Sequence, residues 1–394
     1  MAKMSLITEY LNRKMSAESL WEEMINLIKR YNKHTKSFLF IYSVDVMKPA
    51  NDVAMNMEDY HKIVDILKDE SSEALSFYLE TPGGSGETAE EVAKFIRKKF
   101  SNINFVIAGE AKSAGTILTM CGDEISMTET ASLGPIDAQV KIGRSVCSGH
   151  DYIEWVVEKR GEALLNKQLN PFDAVMVAQI SPGELKGVYN AVEFAKELVV
   201  EWLSSYKFSN WKVTETSKKT VTEEMRMQRA KEIADKLTDH SYWKTHGRSI
   251  KIDALENHVK LRINKIDVDD TLSDIVYRIR TVLRLLFDST TIYKIFATEN
   301  NKVIRHLITS QSPINQVQQE KPDRVNIDLN CPQCGKQIQI LAKFNKNKKN
   351  TEIEKSPHTP FPKNDTIKCG CGFEINISGI RNELETKVGK KIIS

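Results

Sequence analysis

Between residues 37 and 127 the chain alternates short apolar runs with longer amphipathic ones, and few folds accept that order. Ser37–Val44 (SFLFIYSV), Ala74–Leu79 (ALSFYL), Ile103–Ala108 (INFVIA) and Glu124–Met127 (EISM) have the length and β-branched or aromatic content of buried strands. Between them, Met57–Lys68 carries Ile63, Val64 and Leu67 on one helical face, and a second helix repeats Ala89, Val92, Ala93, Ile96 and Phe100 at intervals of three or four. Glu87, Glu90 and Glu91 fall in the first turn of that second helix and Arg97, Lys98 and Lys99 in its last, the charge order a helix dipole favours. Ala114–Cys121 is apolar all round, as a buried helix should be. Strand, helix, strand, helix, strand predicts an α/β fold with a parallel sheet and right-handed crossovers.

Around this body the pattern changes. Leu20, Trp21, Met24, Ile25, Leu27 and Ile28 mark a helix before the first strand. Residues 151–236 are mostly helical in pattern, Thr214–Thr222 reads as an exposed polar loop, and Asp270–Phe296 reads as helix again. Residues 298–325 lose apolar periodicity and read as a linker, followed by a cysteine-bearing module and a basic tail. The expected organisation is an N-terminal helical segment 1–34, a body with a helical extension 35–297, the linker 298–325, a small module 326–380 and a tail 381–394. A formal net charge of +3 does not describe a polycation, so nucleic acid is not expected as a partner. No apolar run approaches the ~18 residues of a membrane span, and the N-terminus has no signal-peptide core, so a cytoplasmic location is expected.

Pro82-Gly83-Gly84 stands between a strand and a helix, where glycine is needed if the backbone takes unusual angles or something approaches closely. After the third strand comes Gly109-Glu110-Ala111-Lys112-Ser113-Ala114-Gly115-Thr116, which puts Ser113 at a strand-to-helix turn among small residues. The Ala114 N–H, opening a helix, is a free donor. A second N–H from Gly84 would complete an oxyanion hole for acyl transfer. Each local pattern is also what a plain turn or a helix cap looks like.

The segments TPGG (81–84), AKSAGTILTMCGDEISMTETASLGPIDAQ (111–139) and WKTHGRSI (243–250) together resemble the serine dehydrogenase proteinase family of Clp/crotonase-fold serine proteases. The resemblance covers residues 35–260 and departs mildly at Ser113-Ala114-Gly115, where the family reads Ser-Gly-Gly. It implies a Clp/crotonase-like ββα-superhelix, a homo-oligomer, and a Ser-Asp-His triad with Ser113 as nucleophile, Asp137 as orienting acid and His246 as general base. Such a triad is physically sound in any chain order, because imidazole accepts the serine proton and a carboxylate fixes its tautomer. His240 and His150 compete with His246. Lys141, Lys159 and Lys167 are candidates for a lysine base, since relatives such as signal peptide peptidase A use a Ser–Lys pair. The expectation is an ATP-independent serine endopeptidase acting on polypeptide through an acyl-enzyme. A degenerate Clp-fold scaffold and a crotonase-type acyl-CoA enzyme are the alternatives, although a nucleophilic serine does not suit the latter.

Four of the six cysteines crowd into residues 331–371. Cys331-Pro-Gln-Cys334 and Cys369-Gly-Cys371 each lie at a glycine-containing turn before an alternating strand, with 34 residues between the pairs. Four thiolates in that arrangement predict one structural Zn²⁺ per chain in a zinc ribbon. Lys343, Lys346, Lys348 and Lys349 between the pairs make the ribbon a candidate recruiter of a protein partner or substrate. Cys121 and Cys147 stand alone and read as ordinary small residues.

Overall fold

The computed structural model describes residues 4–142, 145–214, 216–307, 324–344, 359–388 and 390–393. The chain divides into two compact units, Met1–Leu307 and Ile308–Ser394.

In the first unit, α1 (Leu6–Asn12) and α2 (Ala17–Thr35) precede β1 (Phe38–Val44). Then come α3 (Met57–Leu67), β2 (Ala74–Glu80), α4 (Gly86–Lys99), β3 (Asn102–Ile107), the short β4 (Glu110–Ala111), α5 (Ala114–Thr119) and β5 (Glu124–Met127). The chain continues through β6 (Ser132–Leu133), the hairpin β7 (Gln139–Ile142) and β8 (Ser145–Ser148), then α6 (Gly149–Asn166), α7 (Pro171–Val177), α8 (Pro182–Trp202) and α9 (Glu223–Leu237). The unit closes with α10 (His240–Trp243), α11 (Ile252–Ala254), β9 (Asn264–Lys265), α12 (Asp270–Ser289), β10 (Ile292–Ala297) and β11 (Lys302–His306).

These elements build a mixed α/β fold around one sheet in the order β11-β10-β1-β2-β3-β5-β9. The strands from β1 through β9 run parallel, and β10 and β11 join antiparallel at the β1 edge. Every residue of β1 is buried, because the sheet is covered on both faces. One face packs Phe40, Phe77 and Phe105, in register on adjacent strands, with apolar residues of α3, α4, α5, α8 and α9. The other packs Leu39, Ile41, Tyr78 and Val106 under α2 and α12. The helix caps follow side-chain logic: Ser85 accepts from Thr88 N at the start of α4, and Asn56 and Asp59 form a capping box on α3.

Two expectations need correction. Asp270–Phe296 is not one helix. α12 stops at Ser289, Thr290 is extended, and Ile292–Ala297 forms β10 on the edge of β1. The β-branched and aromatic run Thr290-Thr291-Ile292-Tyr293 prefers a pleated, buried surface to a helix. The stretch expected as a linker, 298–325, contains β11 at Lys302–His306, a polar edge strand, and residues 308–323 lie outside the described residues.

β10 brings Lys294 into the core. It is fully buried with Asp59, 2.7 Å away, and also donates to the carbonyls of Asp52 (2.6 Å) and Ala54 (3.2 Å). The Tyr42 hydroxyl donates to the same Asp59 carboxylate at 3.0 Å.

The second unit holds the antiparallel pair β12 (Arg324–Asn330) and β13 (Gln337–Lys343), then β14 (Thr359–Pro360), the pair β15 (Thr366–Lys368) and β16 (Glu374–Asn376), and α13 (Ser378–Val388). Ile340, Phe344, Phe361, Ile367, Ile377, Val388 and Ile392 make a small core of its own. The segment expected as a tail from 381 is therefore largely structured: α13 runs through it, and Ile393 pairs with Lys343. Among the described residues no helix is long and apolar enough to cross a membrane.

Candidate active site

Ser113 lies where β4 turns into α5, with φ 49° and ψ −117°. A positive φ is costly for a residue with a Cβ. The position is that of a helix cap, yet the Ser113 side chain makes no capping bond, so its hydroxyl is left free of the helix. The opposing turn explains its two glycines. Gly83 has φ +107°, and a Cβ there would fall 2.7 Å from Ser113 Cβ and 2.8 Å from the Lys112 carbonyl. Gly84 has φ +150°, and a Cβ there would fall 2.3 Å from the Met55 carbonyl oxygen. What approaches these glycines is thus the serine turn on one side and Met55 on the other. Met55 N donates to Gly83 O (2.7 Å) and Ser85 N to Met55 O (3.0 Å), which pins the turn. Among the described residues, the N–H groups of Gly84 and Ala114 donate to no protein acceptor.

Asp137 follows β6, whose Leu133 exchanges two backbone bonds with Ile250, and Ile136 N donates to Leu237 O at 2.9 Å. These contacts draw the segment after α9 beside the Asp137 loop. The carboxylate is buried and accepts from Ser148 Oγ and Gln139 Nε2, both at 2.7 Å. Two imidazoles face its Oδ2: His240 Nδ1 at 3.4 Å and His246 Nδ1 at 3.7 Å. Burial alone would raise the Asp137 pKa. His246, the Ser148 hydroxyl and the charge of both imidazoles outweigh it and hold the acid below its ordinary value.

The two histidines differ in what they do next. His240 Nε2 meets the Asp151 carboxylate at 3.2 Å, so both of its nitrogens face carboxylates, and its ring stacks on His150. Among the described residues, His246 Nδ1 is buried with no partner within hydrogen-bond distance, and the residue lines a cavity of about 360 Å³. That cavity brings together Ser113, Ala114, Gly84, Asp137 and His246, with Ile117, Ile136, Ala191, Phe194 and Ala195 as an apolar wall. Lys141, Lys159 and Lys167 do not line it. Lys159 is instead engaged by Glu162 at 2.9 Å and Asp173 at 3.2 Å. Ser148 and Gln139 were not singled out from the sequence. Ser148 reads there only as the cap of α6, a bond it does make, and Gln139 carries no local pattern.

In the second unit, Cys331, Cys334, Cys369 and Cys371 place their Sγ atoms within 4.8 Å of one another. The Cys331–Cys371 and Cys334–Cys369 separations are 3.7 and 3.6 Å. A tetrahedron with ~2.3 Å metal–sulfur bonds has edges of about 3.8 Å, so the four thiols fit one tetrahedral metal ion. Gly335 and Gly372, both at positive φ, form the two knuckles.

A strained, uncapped serine, two residues whose N–H groups meet no protein acceptor among the described residues, and a histidine facing a buried carboxylate thus line one cavity. Residues 34–201 match the family described as ClpP-like SDH-type serine proteinase. Two uncharacterized proteins of Methanocaldococcus jannaschii are similar in sequence. One is 23% identical over 141 residues, covering 36% of this chain and 44% of its own length. The other is 29% identical over 66 residues, covering 17% and 23%. The chain thus spans less than half the length of these curated relatives. Among solved structures, a mutant of the 1510-N membrane-bound stomatin-specific protease aligns with a TM-score of 0.30 at 13% identity, covering 56% of this chain and 76% of that one. A second mutant of that protease, in complex with a substrate peptide, aligns with a TM-score of 0.30 at 13% identity, covering 52% and 67%.

Proposed function

We propose that the chain is a serine endopeptidase that cleaves polypeptide through an acyl-enzyme, with Ser113, Asp137 and His246 as its triad. The observation that carries this is the single cavity into which the uncapped Ser113, the Asp137–His246 pair and the unpaired N–H groups of Gly84 and Ala114 converge. With Nδ1 of His246 turned to Asp137, Nε2 is the nitrogen left to take the serine proton. Ser113 Oγ then attacks the peptide carbonyl, and the charge on the carbonyl oxygen is met by the Gly84 and Ala114 N–H donors. The imidazolium returns its proton to the leaving amine, and water releases the acyl group by the same steps in reverse roles. The 3.7 Å gap between His246 and Asp137 exceeds a hydrogen bond and is of the kind that tightens when substrate binds. The apolar wall favours an apolar substrate side chain next to the scissile bond.

His240 is the less available candidate, because both of its nitrogens face carboxylates and it does not line the cavity that Ser113 lines. For the second unit we propose one Zn²⁺ held by Cys331, Cys334, Cys369 and Cys371. Bound there, the metal would supply cross-linking to a unit whose core is small, and the unit would serve to recruit a substrate or partner.

The test is labelling of the intact chain with a fluorophosphonate, followed by peptide mass spectrometry. One adduct on Ser113, absent from Ser113→Ala, is the expected result. A wild-type chain that takes no probe overturns the reading in favour of a non-catalytic scaffold.

A further inference from the structure

Lys112 immediately precedes the serine and takes no part in the chemistry above. Its side chain is only 7% exposed, and the nearest carboxylate, Glu110, stands 4.0 Å away. The ammonium is met instead by three neutral groups: Ser249 Oγ at 2.9 Å, the Arg248 carbonyl at 3.1 Å and the Leu133 carbonyl at 3.4 Å. Three donors on the ammonium meet three acceptors. Burying a cation without a close counter-ion is costly, and an apolar side chain of the same length would fill the slot more cheaply. Burial accordingly pulls the Lys112 pKa below its ordinary value.

The partners are what distinguish the contact. Arg248 and Ser249 follow His246 in the same loop, Leu133 opens the loop that ends at Asp137, and the Lys112 backbone leads into Ser113. One side chain therefore touches all three segments that carry the proposed triad. We propose that Lys112 is a positioning residue, whose ammonium fixes the His246 loop and the Asp137 loop to the nucleophile turn. Its effect on turnover rests on the hydrolase reading, and its effect on loop order rests on these contacts alone.

The experiment compares wild type, Lys112→Met and Lys112→Arg as intact chains. Amide hydrogen exchange is followed over 244–250 and 132–138, alongside peptide turnover and the rate of fluorophosphonate labelling. For Lys112→Met, exchange in 244–250 should quicken about tenfold or more, with other helices and strands of the first unit unchanged. Turnover and labelling rate should fall together by ~10–100-fold with KM within about twofold, since misplaced groups cost rate rather than binding. Lys112→Arg, keeping charge and donors, should recover part of both. Unchanged exchange in 244–250, or a raised KM with kcat intact, overturns the proposal. A wild-type chain inert to the probe sinks the hydrolase reading instead, and the exchange comparison then decides the tether by itself. Should Lys112→Met fail to fold, Ser249→Ala removes one acceptor alone. It must give a smaller rise in the same segment, and no rise counts against the tether.

Discussion

At φ 49° and ψ −117° Ser113 sits in a conformation that costs a non-glycine residue ~1–3 kcal/mol, and the bonds from Gly115 N to Lys112 O and from Ile117 N to Ser113 O hold it there. Strain of this kind is retained where it presents a group to a ligand. Replacing His246 with Ala should lower peptide turnover on the order of 10⁴-fold, whereas His240→Ala should leave most of the rate. Steady-state kinetics on one peptide compares the two directly, and the reverse ranking would move the base to His240. Asp137 gives a pH-dependent prediction. Its folded pKa is depressed, so its stabilisation is complete above its unfolded value of about 3.9 and is lost as pH falls through the lower folded value. The stability gap between wild type and Asp137→Asn should be widest above about pH 5 and close below that range. Denaturant midpoints measured from pH 6 down to pH 3 check this. A gap that grows on acidification would contradict it. At this scale, Ser113 is marked by its strand-to-helix turn among small residues, whereas Asp137 and His246 are marked by the resemblance alone. Asp137 shows only a Gly-Pro turn, and nothing near it in sequence announces Ser148 or Gln139, because their roles depend on chain segments that meet only after folding.

At the scale of elements, β1, β2, β3 and β5 are legible because they are largely buried and so read as apolar runs, whereas the exposed two-residue parallel strand β9 is not. The antiparallel additions were not. β10 continues the apolar density of α12 with a lysine in its middle, and β11 is a half-exposed edge strand whose sequence resembles a loop. The interval between Ala108 and Ala114 reads as a strand-to-helix turn that presents Ser113 and a free Ala114 N–H, with the glycine turn expected opposite it. Its proposed role as a nucleophile turn depends on the Gly83 backbone lying against it, a contact between residues far apart in sequence. Gly83→Ala should therefore be costly twice, through its φ and through the collision with Ser113 Cβ. A loss of ~1–3 kcal/mol in unfolding free energy, together with a larger loss of probe labelling, is expected. Labelling at the wild-type rate would show that the two turns need not touch. Lys294→Met should destabilise the first unit by roughly 3–5 kcal/mol by leaving Asp59 buried and unpaired. Denaturant unfolding measures it, and a neutral result would mean that Asp59 takes up a proton at no cost.

For the molecule as a whole, the described residues of the second unit hold a small apolar core and four convergent thiols. Removing metal with a chelator should raise hydrogen exchange throughout 324–393 while the 1–307 unit keeps its exchange pattern and its labelling at Ser113. Metal analysis should find one zinc per chain, and Cys331→Ser should abolish it. Retention of zinc by that variant would contradict the four-thiolate site. The matched family segment ends at residue 201, yet Lys294 reaches back 240 residues to the Ala54 carbonyl, next to the Met55 that pins Gly84. The imidazole, the bonds that seat the Asp137 loop and the cover over the β1 edge all come from beyond residue 201 as well. A gene fragment cut at that border would encode Ser113 while leaving behind the parts proposed to aim it. Because the compact first unit runs to residue 307, recombination between relatives at residue 201 should yield insoluble chains, whereas exchange near residue 307 should be tolerated.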